Sequence, residues 1–367
     1  MEQRIYQIAL SLLSGIGPIK AKALVAHVGS VEGIFKEKEK ALGLIPGIGS
    51  AVVRSLNRHE CLDRAERELV FIEKHSIDFY YYEDARYPAR LKFCEDGPIV
   101  LFSKGNMHFN KRNIAIVGTR KATPYGKKLV NELIAQLADS DFQVVSGLAY
   151  GIDVEAHKAA LSNRISTLAV LGHGLDLIYP AAHKSIARQM LENGGLVTEF
   201  LSNSNGDTSN FPKRNRIVAG LCDATIVVES AISGGSLITA NLANDYNRDV
   251  FAFPGNTDQE YSRGCNQLIQ QDKAHLITSA ADLLRIMGWK QGSCDSAKSS
   301  FIQQQIFPEL NDEEDKIVRV LREKGEVDID NLGYAAQLTS SGLAMHLFSL
   351  ELKGLIKVAP GKRYSLL

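Results

Sequence analysis

Between Ile114 and Met287, short apolar runs rich in β-branched residues alternate with helical stretches. The runs are Ile114–Val117, Gln143–Val145, Thr167–Leu171, Leu196–Thr198, Thr225–Val228 and Val250–Phe253, each followed by a glycine or polar turn. Unbroken hydrophobic strands alternating with helices belong to a parallel sheet buried on both faces. The pattern therefore predicts an α/β fold, an extended Rossmann-like, doubly wound and mostly parallel sheet over residues 63–290. Phe79–Tyr82 and Ile99–Phe102 add elements at its edge.

Residues 1–62 read as helical and hold a weak internal repeat. Leu13-Ser14-Gly15-Ile16-Gly17 and Ile45-Pro46-Gly47-Ile48-Gly49 each precede a helix. Glycine turns at a helix start free N–H groups, as in helix-hairpin-helix (SAM-like) units that grip a phosphate; the alternative is that they merely join short helices of a small bundle. Residues 291–310 turn to Gln, Ser, Gly and Lys, a linker composition. From residue 311 to 367, three helical stretches and a hairpin about Pro360-Gly361 give the layout of a winged helix.

The 367 residues carry 42 basic and 42 acidic side chains, so an anionic partner must be held by a local patch rather than by overall charge. From Lys111 to Val130 there are six cations (Lys111, Arg112, Arg120, Lys121, Lys127, Lys128) and no acid. Acid elsewhere, at Glu309 and from Asp312 to Asp315, offsets them. Five cysteines, scattered and never in a C-x-x-C pair, argue against disulfides or zinc and for a reducing cytoplasm. Neither a signal-peptide core nor an apolar run long enough to span a membrane is present.

Ligands of such sheets sit beyond the carboxyl ends of the strands. After the first run comes Gly118-Thr119-Arg120, with Thr123 placed to cap a helix from Pro124. After the second, Ser146-Gly147-Leu148-Ala149-Tyr150-Gly151-Ile152-Asp153 sets two glycines and a capping aspartate in one turn. After the fifth, Ser233-Gly234-Gly235-Ser236 opens another helix. Between them, the cationic loop Phe211-Pro212-Lys213-Arg214-Asn215-Arg216 suits single-stranded nucleic acid, with cations for phosphates and a ring for a base. Glu229, at a strand end, is the one carboxylate placed for chemistry, while His157 and His183, on polar helices, read as surface residues. The dinucleotide fingerprint fails at its second or third glycine, and no P-loop, metal-ligand spacing or nucleophile elbow appears.

Together these motifs closely resemble the bacterial DNA-processing protein A (DprA/Smf) family over nearly the whole chain. The carriers are Gly118-Thr119-Arg120, Ser146 to Asp153, Gly172-x-Gly174-x-Asp176 with Tyr179-Pro180, and Phe211-Pro212-x-Arg214-Asn215-Arg216. Ser233 to Ala240, Asp249 to Ala252 with Pro254-Gly255, and Gly264-x-Asn266-x-Leu268-Ile269 complete the series. The resemblance implies a non-catalytic homodimer that binds and protects incoming single-stranded DNA and helps load RecA recombinase during natural transformation, without cofactor, metal or membrane. It implies a pocket in which Arg120, Lys184, Lys213, Arg214 and Arg216 meet the backbone of Gly147, Gly234, Gly235 and Ser236. Gly118, Thr119, Ser146, Gly151, Phe211, Asn215, Ser233 and Asn266 share the matching motifs.

Where the family usually has Gly-Ala, this chain has Asp272-Lys273-Ala274. Leu338 to Leu352, the expected recognition helix, holds one Glu and no Lys or Arg, which favours a protein-interaction or regulatory module over groove binding. The rival from another class is a phosphoribohydrolase similar to the lysine-decarboxylase-like family. Its P-G-G-x-G-T turn lacks the proline and the third glycine here.

Overall fold

The apolar runs lie side by side. The computed structural model describes residues 2–49, 53, 56–138, 141–204, 207, 209–289, 310–353, 355–359 and 363–366. The expected linker, apart from Leu310, and the Pro360-Gly361 turn lie outside the described residues. Two compact units, residues 1–293 and 294–367, are described separately.

In the first unit, strands β1 (Asp78–Tyr81), β2 (Val100–Asn106), β3 (Arg112–Val117), β4 (Phe142–Ser146), β5 (Ser166–Val170), β6 (Gly194–Thr198), β7 (Ala224–Val227), β8 (Asp249–Ala252) and β9 (His275–Leu276) form one sheet. Its order is β1-β2-β6-β5-β4-β3-β7-β8-β9. From β6 to β9 neighbouring strands are parallel, and every residue of β4, β5, β6 and β7 is buried because helices cover both faces. The edge pair β1–β2 is antiparallel, as is β2–β6. The chain winds outward from β3 through β4, β5 and β6, then returns to the other side of β3 with β7, so a topological switch point lies beside the carboxyl end of β3.

Helices α1 (Glu2–Leu12), α2 (Pro18–Val28), α3 (Val31–Lys36), α4 (Glu39–Leu42) and α5 (Arg58–Lys74) precede the sheet. Ile8, Leu10, Leu24, Ile34 and Ile72 share one apolar core with Tyr81, Val100 and Phe102 of the antiparallel edge. Buried Glu68 of α5 accepts from Ser202 N (2.9 Å) and Ser202 Oγ (2.6 Å), while Arg64 binds both Glu68 and the Ser202 carbonyl. These helices thus hold the segment that leads into the site. In the second unit, α14 (Asp312–Lys324), begun by an Asn311/Glu314 capping box, packs with α15 (Ile329–Ala336), α16 (Ser340–Leu352) and the strands β10 (Val327–Asp328), β11 (Ile356–Ala359) and β12 (Arg363–Leu366) in order β10-β12-β11. Among the described residues no helix is long and apolar enough to cross a membrane.

Two expectations are corrected. The basic stretch from Lys111 to Val130 is not one patch, because β3 separates its members by a strand's length, roughly 20 Å. Lys111 pairs with Asp141 (2.9 Å) and Arg112 lies over Trp289 at one end, while Arg120 sits past the other. His157 and His183 are buried rather than on the surface: α8 (Ile152–Ser162), which carries His157, lies against β4 and β5 and under α7 (Pro124–Gln136), while His183 packs on the turn after β4, with the Tyr150 ring 5.0 Å away. His157 Nδ1 donates to Thr167 Oγ1 (2.7 Å), whose own proton goes to Val144 O, and Nε2 has no partner. Burial, with the charges of Arg214 and His183, pushes His157 down to about 3. The unfolded chain takes up this proton first, so His157's contribution is present above about pH 6.5 and is lost as pH falls toward 3, at up to ~1.4 kcal/mol per pH unit. Urea unfolding between about pH 7 and pH 4 will show a shallower pH slope for His157→Gln than for the unaltered protein.

Candidate nucleic-acid interface

Three turns converge at the switch point. After β3, Gly118 is crowded on its Cα: a Cβ would lie 2.5 Å from Ile152 and 3.0 Å from Glu229 O. Thr119 N donates to Glu229 O (2.8 Å) and Thr119 O accepts from Ile152 N (3.1 Å), locking this turn to the ends of β7 and α8. After β4, Gly147 N donates to Asp153 Oδ2 (3.1 Å), and Gly151 takes a left-handed φ of 78° against Thr119 O. Asp153 therefore braces the turn from inside, and the helix cap is Gly151, which has no side chain to offer. Ser146 is buried and spends its hydroxyl on Ile116 O (2.6 Å). After β7, Ser236 Oγ donates to Ser230 Oγ (2.8 Å), and α11 (Gly235–Asp245) starts from Gly234 without a side-chain cap.

The expected cationic loop is instead the start of α10 (Asn210–Leu221), where Pro212 sits in the first turn and its missing N–H costs nothing. Each helical residue turns about 100°, so Arg214 and Arg216 face nearly opposite ways. Arg214 lies on Gly147 so closely that a Cβ there would be 1.4 Å from Nη1. It is 4% exposed, its Nε lacks a partner, and it has no ion pair among the described residues. Burial first, and then the like charge of Arg120, hold it below its ordinary pKa against the attraction of Asp153. Burial in turn raises Asp153, and Arg214 opposes that rise. Arg120 is exposed at the rim, its guanidinium 5.3 Å from the Phe211 ring centroid, and Tyr179 lies 6.2 Å beyond.

Around these groups is a cavity of about 400 Å³, lined by Gly118, Thr119, Arg120, Gly147, Phe211, Arg214, Asn215 and Gly234 to Ser236. Two cations and the uncapped start of α11 face one space, an arrangement that stabilises anions and above all phosphate. Ala149, Ile238 and Thr239 are among the further lining residues that were not expected, although Thr239 lies one helical turn beyond Gly235.

Other expected members lie elsewhere. Arg216 is half of an ion pair with Glu199 and also donates to Asp96 O (2.6 Å). Lys213, on the same side as Arg216, lines a second cavity. Lys184 opens α9 (Lys184–Met190) as an exposed residue outside the lining, next to His183, which anchors to Leu148 O (2.8 Å). Asn266 uses its amide on both Gly255 O (2.8 Å) and Gly255 N (3.1 Å), and Ser233 faces a neighbouring groove. Glu229 is bound at the start of α7, accepting from Thr123 N (2.9 Å) and Thr123 Oγ1, and Gly126 leaves room for its carboxylate. Asp272 adopts a left-handed φ of 54°, the conformation a glycine supplies readily, and Lys273 N closes on Leu268 O (2.9 Å) outside the cavity.

Residues 78–288 match the family model of DNA recombination-mediator protein A, and residues 304–362 match that of the DprA winged helix domain. The chain belongs to the DNA recombination-mediator protein A family. Protein Smf of Synechocystis sp. is 31% identical over 99% of this chain and 98% of its own length. DNA processing protein DprA of Streptococcus pneumoniae is 42% identical over 55% of this chain and 71% of its own length. The X-ray structure of that Streptococcus pneumoniae protein superposes with a TM-score of 0.66 and 33% identity over 77% of this chain and 97% of its own. DNA processing protein A of Helicobacter pylori, whose structure concerns a single-stranded DNA binding mode, gives 0.52 and 26% over 57% of this chain and 95% of its own.

Two glycines of this cavity separate protein crowding from ligand crowding. In Gly147→Ala the new methyl must expel the Arg214 guanidinium, and affinity for a polyanionic ligand should fall about tenfold or more. In Gly235→Ala the Cβ meets nothing within 4 Å, so the melting temperature stays as it was, and any lost affinity reports a ligand against the start of α11.

Proposed function

We propose that the cavity binds single-stranded DNA by its backbone, that the protein performs no catalysis, and that it helps load RecA recombinase onto incoming strands in the cytoplasm. The observation that carries this is Arg214, a buried guanidinium with no ion pair among the described residues and an Nε without a hydrogen-bond partner, beside Arg120 on the Phe211 ring. A buried charge left unpaired is costly, and a phosphate supplies the missing partner. Arg120 and Phe211 at the rim can hold a neighbouring phosphate and base irrespective of sequence. Glu229, held by Thr123, lies outside the cavity and so does not favour a base-releasing enzyme. The Helicobacter pylori relative's single-stranded DNA binding mode supports the reading. On this reading residues 63–290 carry the DNA site between a helical unit (1–62) and, past a linker at 291–310, a winged helix (311–367). The acting form is a homodimer.

Fluorescence anisotropy with a labelled homopolymeric strand, titrated at several salt concentrations against duplex and nucleoside monophosphate competitors, tests this directly. Arg120→Ala should weaken binding and lower the slope of log affinity against log salt by about 0.7, the value for one phosphate contact on a single strand. Arg216→Ala should leave that slope unchanged and lower the melting temperature, because it strands Glu199 without its cation. An unchanged affinity and slope in folded Arg120→Ala means the site is elsewhere. RecA nucleation on single strands, followed through its ATPase, should quicken when the protein is present and should not when Arg120→Ala replaces it.

A further inference from the structure

The start of α10 is a wall between two cavities. Phe211, Pro212, Arg214 and Asn215 face the anion cavity, whereas Lys213 and Arg216 face a second space of about 310 Å³. The opposite walls of that space come from the N-terminal helices and the turn between them (Leu12, Ile16, Ala21), from β2 (Val100) and from the segment after β6 (Phe200, Leu201). Its volume is at the lower end of the range for small-molecule sites.

The chemistry of the space differs from that of its neighbour. Arg216 and Glu199 neutralise each other, the buried Glu199 Oε1 has no hydrogen-bond partner among the described residues, and Ser11 Oγ donates to its own helix at Ile8 O (2.7 Å), so the interior offers apolar contact, one orphaned acceptor and little that would hold a phosphate. Lys213 is exposed and has no ion-pair partner among the described residues. An apolar interior beside one available cation matches a nucleotide whose base is inside and whose phosphate is outside. With mostly apolar walls and a single orphaned acceptor, the space holds a base by fit and apolar contact far more than by reading its edge.

We propose that this second cavity is a base-docking subsite. A nucleotide adjacent to the one whose phosphate occupies the Arg120–Arg214 cavity inserts its unstacked base between α10 and the N-terminal helices, with its phosphate at Lys213. This rests on the reading of the first cavity as the strand's phosphate site. It makes the N-terminal helices part of the DNA-binding surface through apolar contact rather than through charge.

Gly17 lines the second cavity in an extended conformation (φ −80°, ψ 175°), and nothing lies within 4 Å of a Cβ built there. A side chain at Gly17 therefore starts without a clash at Cβ, and Gly17→Leu places apolar bulk at the lining of this cavity. Anisotropy with two short strands of equal length, one bearing bases and one wholly abasic, gives the test in the full-length protein. Gly17→Leu should weaken the base-bearing strand about tenfold, leave the abasic strand unchanged and leave the salt slope unchanged. Lys213→Gln, at an exposed position, should keep the fold and lower the slope for both strands by about 0.7. If Gly17→Leu binds the base-bearing strand like the unaltered protein while Arg120→Ala weakens it, the subsite is wrong and the phosphate site stands. If Gly17→Leu weakens both strands equally with a reduced slope, the cavity holds a phosphate and the proposal falls. An unchanged slope in Lys213→Gln likewise overturns it, and if Arg120→Ala also changes nothing, the phosphate reading fails first.

Discussion

A guanidinium pressed onto a glycine organises this site. Arg214 reaches the switch point of the sheet only because Gly147 has no Cβ, and it stays there although burial disfavours its charge. Asp153 provides partial electrostatic compensation while its carboxylate fixes the turn that Gly147 begins. The remaining positive charge is directed into the cavity, where the start of α11 adds to it. Replacing any of these three parts leaves the other two strained or unpaired, which is why the geometry is held by buried groups rather than by the exposed cations around it.

The same helix explains the division of labour among neighbouring cations. Arg214 and Arg216 are two residues apart, and helical rotation sends one to the anion cavity and the other to a structural ion pair with Glu199. Glu229 is used in a comparable way, as its carboxylate occupies the N-terminal end of α7 and leaves the start of α11 facing the cavity. Charge along the start of α10 is thus divided: Arg216 is matched where it supports the fold, and Arg214 is unmatched where a ligand is expected to supply the counter-charge.

The N-terminal helices have a closer relation to the site than their place in the chain suggests. Through Arg64 and Glu68 they hold the segment at Ser202 that precedes α10, and their apolar face continues onto β1 and β2. The turn between α1 and α2 therefore reaches the far side of the wall formed by α10. By contrast, the helices α15 and α16 of the winged unit contain no Lys or Arg, so they offer no permanent charge of their own to a phosphate.

The strands of the sheet were legible because continuous apolar runs and intervening helices are local signals of burial on both faces. The glycine turns after β3, β4 and β7 were legible too, since a backbone that must pass near another atom leaves its mark in residue type. Family motifs placed Arg120, Gly147, Phe211 and Arg214 together, and the fold does bring these four into one cavity. Residue type alone did not separate Arg214 from Arg216, because the proline and charges of that stretch resemble a loop and hide its helical phase. Nor did it locate His157 and His183, whose polarity suggests solvent until α8 is seen lying between the sheet and α7, and His183 bound to the turn after β4. Sequence determined which elements form and where the backbone can approach closely. The tertiary structure alone decided which side chains meet, because the direction of a side chain depends on helix phase and on what another segment packs against it.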